Sequence, residues 1–160
     1  RIPNVVLVGN WNGYPDSKGT QNLDAAIMAT VKRLVDAGVQ PWIVLAVPQF
    51  DFDIPRALAS SAIFGQDISA LLRIPGTEQN DRTNKRRSFA ACIELGAVII
   101  DPLPAFIDRD QRRLIVSRDG KSFYRDSCHL STAGAEVALL PILRETVGQR
   151  LGKTGAISSN

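Results

Sequence analysis

Three short, unbroken apolar runs separated by amphipathic stretches constrain this chain more than any other feature. They are Asn4-Val5-Val6-Leu7-Val8-Gly9, Trp42-Ile43-Val44-Leu45-Ala46-Val47 and Ala97-Val98-Ile99-Ile100. A strand with one wet face alternates apolar and polar residues, whereas an unbroken apolar run suits a strand buried on both faces. Between the first two runs, Leu23, Ile27, Val31, Leu34 and Val35 recur at helical spacing. Asn22 is placed to cap that helix, and Gly38 to end it in a left-handed turn. Before the third run, Asp81–Leu95 reads as a helix with Phe89, Cys92, Ile93 and Leu95 inward, Lys85-Arg86-Arg87 outward and Gly96 as its stop. Buried strands alternating with helices imply an α/β fold, a parallel sheet with helices on both faces.

The remaining segments are less regular. The second run closes on Pro48, and two short helices are expected at Ile54–Phe64 and Asp67–Leu72, with Pro75-Gly76 as a stop. Arg113–Ser117, ahead of Asp119-Gly120, predicts an edge strand or hairpin arm. A last helix is expected from just after His129 to about Leu151, with Ala135, Leu139, Ile142, Leu143 and Val147 inward and a kink at Pro141. No repeat or linker divides the chain, so residues 1–152 are expected to form a single domain and 153–160 a disordered tail.

With 160 residues, 44% hydrophobic and 22% charged, the chain has the composition of one globular domain and not of a disordered one. Lys and Arg exceed Asp and Glu by only 19 to 16, a charge of +3 that does not demand a polyanionic partner. Nucleic acid is accordingly not expected, and Lys85–Arg87 and Arg109–Arg113 read as solvated faces. No apolar run approaches the roughly 18 residues of a membrane span, and nothing resembles a signal peptide. The chain opens on Arg1 and enters strand-like sequence within three residues, as a piece of a longer protein would.

In parallel α/β folds, chemistry gathers beyond the carboxyl ends of the strands. Two polar clusters occupy such places: Gly9-Asn10-Trp11-Asn12, and the segment Tyr124–Ala135 ahead of the last helix. The second holds His129, the one histidine of the chain, three residues after Asp126. In a turn opening a helix, that spacing lets the carboxylate hold one ring nitrogen and leave the other as a general base. The same residues also fit a structural histidine and a helix-entry carboxylate near a positive helix end. Ser131 or Thr132 is placed to cap the following helix, and Gly134 to permit close packing.

Cys92 and Cys128 are too few for a disulfide scaffold and lack metal spacing. They are open to one bridge in an oxidising compartment, or to being a buried thiol at Cys92 and an incidental one at Cys128. Cys128 is not read as a nucleophile for His129, because neighbouring side chains normally diverge. Asp51 and Asp53 lack the further ligands of a metal site and read as loop carboxylates. No metal and no cofactor is expected.

The block Tyr124-x-Asp126-x-x-His129-Leu130-Ser131-x-x-Gly134-Ala135 resembles the last block of the SGNH (GDSL-like) hydrolase superfamily. Within it, the block is similar to SGNH domains fused to membrane acyltransferases that O-acetylate surface polysaccharides. Gly9-Asn10-Trp11-Asn12-Gly13-Tyr14 resembles a stretch following a strand in that family, and Asp101-Pro102 its Asp-Pro after a later strand. The resemblance spans about residues 4–150. It implies a flavodoxin-like three-layer α/β/α fold, His129 as base, Asp126 as its orienting partner, and oxyanion or substrate contacts from Asn10, Gly9 and Trp11. Trp11 stands where the family pattern Gly-x-Asn-Asp has its Asn, so Asn10 and Asn12 both qualify, Asn10 being preferred; a plain turn role for Asn10 stays open.

The family's serine nucleophile lies in a Gly-Asp-Ser stretch, and none occurs here. Asp16-Ser17 lies well past the strand end without the preceding Gly, and Ser127 belongs to the turn of the base itself. The resemblance therefore implies a domain partial at its amino terminus, lacking the first strand and the nucleophile block, and inactive alone. The implied function is O-acetyl transfer to a cell-surface carbohydrate hydroxyl by a Ser-His-Asp mechanism. A carbohydrate esterase, deacetylase or GDSL-like lipase, and a non-catalytic glycan-binding domain, are the alternatives. The implied partners are a carbohydrate or acyl-ester substrate and a transmembrane acyltransferase domain in the same full-length chain. The implied location is extracytoplasmic, periplasmic or cell-surface, tethered to the membrane.

Overall fold

The structure, a computed structural model, describes residues 2–9, 11, 20–73 and 87–155. The chain divides into two compact units, one of residues 1–46 and 75–101 and one of residues 47–74 and 102–160.

In the first unit, β1 (Asn4–Val8), β2 (Gln40–Val44) and β3 (Val98–Ile100) form a parallel sheet in that order. Leu7 pairs with Ile43 and Ile43 with Ile99; Val6, Trp42 and Val98 line up in the next row. Central β2 is buried from Pro41 through Val44, as an unbroken apolar run requires. β1 departs from that expectation. It is an edge strand of the described sheet, and Val6 and Val8 are 48% and 68% exposed on one face. β2 begins ahead of its apolar run because the Gln40 N–H donates to the Pro3 carbonyl at 2.9 Å, extending the ladder.

The helix α1 (Thr20–Asp36) connects β1 to β2. It starts at Thr20, so Asn22 lies within its first turn and not at the cap. Its end is as expected: Gly38 has φ of 68°, and the N–H groups of Gly38 and Val39 donate to the carbonyls of Val35 and Leu34. Ile27 and Val31 face a core with Trp11, Ile43, Leu45, Ala97, and Phe89 and Cys92 of a later helix, Arg87–Glu94. On that helix Ile93, expected inward, is 56% exposed. One step past Cys92 turns a side chain about 100° off the buried face. Residues 81–86 and Pro75-Gly76, assigned above to helix and stop, lie outside the described residues.

In the second unit, α2 (Ile54–Phe64) spans the predicted range. Asp53, read above as a loop carboxylate, caps it by accepting from the Arg56 N–H at 2.8 Å, with Pro55 in the first turn. Gly65, at φ of 66°, closes it. The expected helix at Asp67–Leu72 is a 3₁₀ turn, Ser69–Leu72, with Asp67 accepting from the backbone and hydroxyl of Ser69. The Arg87–Glu94 helix of the first unit is α3. Where an edge strand or hairpin arm was expected there are two ribbons: β4 (Ile107–Asp108) with β5 (Arg113–Leu114), and β6 (Ser117–Arg118) with β7 (Lys121–Ser122). Asp119 and Gly120, at φ of 51° and 72°, supply the two left-handed residues of a tight hairpin turn. Phe106, Leu114, Val116, Phe123 and Tyr124 form the core with Ile54, Leu72 and Ala138.

The last helix is α4 (Thr132–Gly134), a π-helical turn (Ala135–Leu139) and α5 (Leu140–Gly155). Pro141 has no N–H for the carbonyl four residues back and its ring crowds that group, and the wider turn before it absorbs the conflict. The added width also shifts the buried face. Ala138 is buried at 2% exposed, while Ala135, Leu139, Ile142, Leu143 and Val147 are half-buried. Helix continues through residues 153–155, assigned above to a tail; residues 156–160 lie outside the described residues. Among the described residues no helix is long and apolar enough to cross a membrane.

Candidate active site

The segment between β7 and α4 is folded by its own polar groups. Asp126 places one carboxylate oxygen, Oδ1, on the backbone N–H groups of Cys128 and His129, at 2.8 Å each. An aspartate bonding the chain two and three residues ahead makes a tight turn without help from elsewhere. The turn is closed by the Arg125 N–H donating to the His129 carbonyl at 2.8 Å, and Tyr124 and Leu130 form a bridge across its mouth. The Phe50 N–H reaches over from the segment after β2 and donates to the Ser127 carbonyl at 2.9 Å.

The second oxygen of Asp126, Oδ2, lies 2.8 Å from His129 Nδ1. The Cys128 N–H, then the His129 N–H and its ring, hold the Asp126 carboxyl well below the usual carboxylate range. An ionised acceptor at Nδ1 fixes the ring proton there and leaves the lone pair on Nε2. The side chains are 66% exposed at His129 and 40% at Asp126, so Nε2 is reachable from solvent. This is the carboxylate-imidazole contact anticipated from the spacing of the two residues.

Downstream, Ser131 is the helix cap. Its Oγ accepts from the Gly134 N–H at 3.1 Å and donates to the Ser122 carbonyl at 2.7 Å, while its own N–H donates to Phe123 at 2.9 Å. Gly134 is buried against the Phe123 backbone, and a Cβ there would collide with the Phe123 carbonyl oxygen. Tyr124 packs edge-on against Phe50, ring centroids 5.3 Å apart. Its hydroxyl is buried with no hydrogen-bond partner among the described residues, and burial pushes the phenol well above its ordinary range.

Cys128 corrects the sequence reading. Its Sγ lies 3.5 Å from His129 Nδ1, so the neighbouring side chains do not diverge. The Asp126 turn bends the backbone at both residues and brings them to one side. The sulfur meets Nδ1, the nitrogen already engaged by Asp126, and therefore is not placed to hand a proton to Nε2. Both cysteines are free thiols; Cys92 is buried in the first unit, where desolvation raises the thiol's pKa.

The other cluster is described only in part. Gly9 follows β1. Trp11, expected among the oxyanion or substrate contacts, is a core residue: its Nε1 donates to the Val44 carbonyl at 2.7 Å and its ring meets Phe89 edge-on at 5.9 Å. Asn10, Asn12 and the Asp16-Ser17 pair lie outside the described residues. Sequence reasoning also missed Phe50 as a support of the base turn. Only the fold brings that contact about, across a separation no local pattern encodes.

Comparison with known proteins bears on the fold and the family. The periplasmic domain of a lipopolysaccharide acetyltransferase from Salmonella ser. Paratyphi A superposes with a TM-score of 0.61 at 14% identity, over 93% of this chain and 56% of that one. At that identity the likeness establishes the α/β fold, and this chain spans little more than half of the longer one. No curated protein matches the sequence. A family model described as the SGNH domain fused to AT3 domains matches residues 1–141, which include the Asp126 turn and His129. The chain thus belongs to the family of SGNH domains that are fused to AT3 domains.

Proposed function

We propose that this chain supplies the base and its carboxylate to a serine acyl-transfer site that moves an O-acetyl group onto a carbohydrate hydroxyl outside the cytoplasm. The 2.8 Å contact between Asp126 Oδ2 and His129 Nδ1, with Nε2 left open, carries this reading. Nε2 takes the proton of a serine hydroxyl as its oxygen attacks the acyl carbonyl, and Asp126 stabilises the imidazolium that results. The proton then passes to the departing alcohol, leaving an acyl-serine. An acceptor sugar hydroxyl gives its proton to Nε2 and attacks in turn, restoring the serine. Because the sequence holds no Gly-Asp-Ser, the serine is assigned to a part of the full-length protein outside these 160 residues, which alone are then inactive.

Family membership supports an AT3 domain as the partner within the full-length protein, and the periplasmic acetyltransferase neighbour supports an extracytoplasmic, membrane-tethered site. Water in place of the sugar makes the same groups a carbohydrate esterase. In the full-length protein, His129→Ala and Asp126→Asn are expected to lower transfer by about 10²–10⁴-fold and to suppress fluorophosphonate labelling correspondingly. Labelling indifferent to both substitutions refutes the serine mechanism. A glycan product formed with added acceptor, as against free acetate, separates transferase from esterase.

A further inference from the structure

We propose that Asp126, Cys128 and His129 also form a three-donor site for a divalent transition metal of the Zn²⁺ class, and that metal bound at Nδ1 switches the base off. The metal site rests on geometry alone; the switch rests on the acyl-transfer reading above. One ligand atom from each residue lies within 4.8 Å of the other two. A thiolate, an imidazole and a carboxylate together suit a borderline-soft ion and not Mg²⁺ or Ca²⁺.

The distances discriminate further. Zn–S bonds of about 2.3 Å and Zn–N bonds of about 2.0–2.1 Å at a tetrahedral angle set sulfur and nitrogen about 3.5 Å apart. Cys128 Sγ and His129 Nδ1 stand 3.5 Å apart. Asp126 Oδ2 is closer to Nδ1, at 2.8 Å, a hydrogen-bond separation. It must withdraw by about half an ångström to become a fellow ligand, a small adjustment for side chains 40% and 66% exposed. The backbone N–H groups on Oδ1 keep the turn in place meanwhile. The fourth position is left to water.

Binding has a defined consequence for the base. The thiol proton is released to solvent, and the ring proton leaves Nδ1 for Nε2, so the imidazole stays neutral with its lone pair on the metal. Nε2 then carries a hydrogen and has nothing with which to accept the serine proton. No electron is transferred, and a chelator reverses the change.

Co²⁺ titrated into the full-length protein is the direct test. Wild type should show a thiolate-to-cobalt charge-transfer band that saturates at one metal per chain and is displaced by Zn²⁺. Cys128→Ser should lack the band, and His129→Ala should weaken binding by at least about tenfold. Absence of the band in wild type, or its persistence in Cys128→Ser, overturns the site. For the switch, stoichiometric Zn²⁺ should slow fluorophosphonate labelling at least about tenfold in wild type, reversibly with a chelator, and should spare Cys128→Ser. Labelling unchanged by bound metal overturns the switch. Failure of metal-free wild type to label or transfer strikes the serine reading and the switch together, while the cobalt band still decides the metal site.

Discussion

Asp126 does two things with one carboxylate: Oδ1 makes the turn and Oδ2 orients the ring, at 2.8 Å in each contact. Asn also supplies an acceptor oxygen for the backbone N–H groups, but the charge strengthens those bonds as well as the hold on the ring. Asp126→Asn therefore leaves the turn its acceptor and removes the electrostatic part. The sign of its pH dependence follows from the downward shift. A carboxylate whose native pKa lies below its ordinary 3.8 contributes stability that is fully present above that value and is lost as pH falls through the native one. Denaturant titrations across a pH series should thus show a gap between wild type and Asp126→Asn that is constant above 3.8 with respect to this group and closes below it. A gap that opens on acidification contradicts the assignment of the charge to Asp126.

At the scale of the element, the base turn and the last helix are one device joined at Gly134. Ser131 ties the helix start to Ser122 and Phe123, and Gly134 lets the helix approach the Phe123 backbone closely. In Gly134→Ala the Cβ has nowhere to go, because the colliding atoms are backbone. We expect a loss of about 1–3 kcal/mol, seen as a lower denaturation midpoint, together with weaker acyl transfer as His129 shifts; unchanged stability and rate would show that the junction is not tight. Local chemistry of this kind was legible in the sequence: the Asp-to-His spacing, the Ser cap, the Gly38 end, and the Asp119-Gly120 turn all act over a few residues. What depends on partners distant along the chain was not. The one-sided burial of β1 follows from its edge position, the capture of the Trp11 indole from Val44, and the shifted face of the last helix from a π turn that a 3.6-residue period does not anticipate.

Across the whole molecule, regular hydrogen bonding is unevenly distributed, and stability should follow it. β2 is paired on both sides and buried along Pro41–Val44, whereas the ribbons β4–β5 and β6–β7 pair two residues with two. The alternation of apolar runs foretold the first arrangement; in the second unit, with little regular period, only an edge strand or hairpin arm at Arg113–Ser117 was legible, and not the two ribbons it belongs to. Amides whose release requires breaking a central buried strand exchange only through large openings, and those in short ribbons through local ones. Hydrogen exchange should therefore find its slowest amides in Trp42–Val44 and exchange at least about tenfold faster in Lys121–Ser122. The base turn adjoins the faster region, so its order depends on the side-chain bonds of Asp126 and Ser131 in place of a long ladder. Removing the Ser131 hydroxyl with Ser131→Ala should then speed exchange at Gly134 and leave Trp42–Val44 unchanged, since the lost bonds lie wholly within the second unit. Equal acceleration at both places would mean that the base turn opens only when the central sheet does.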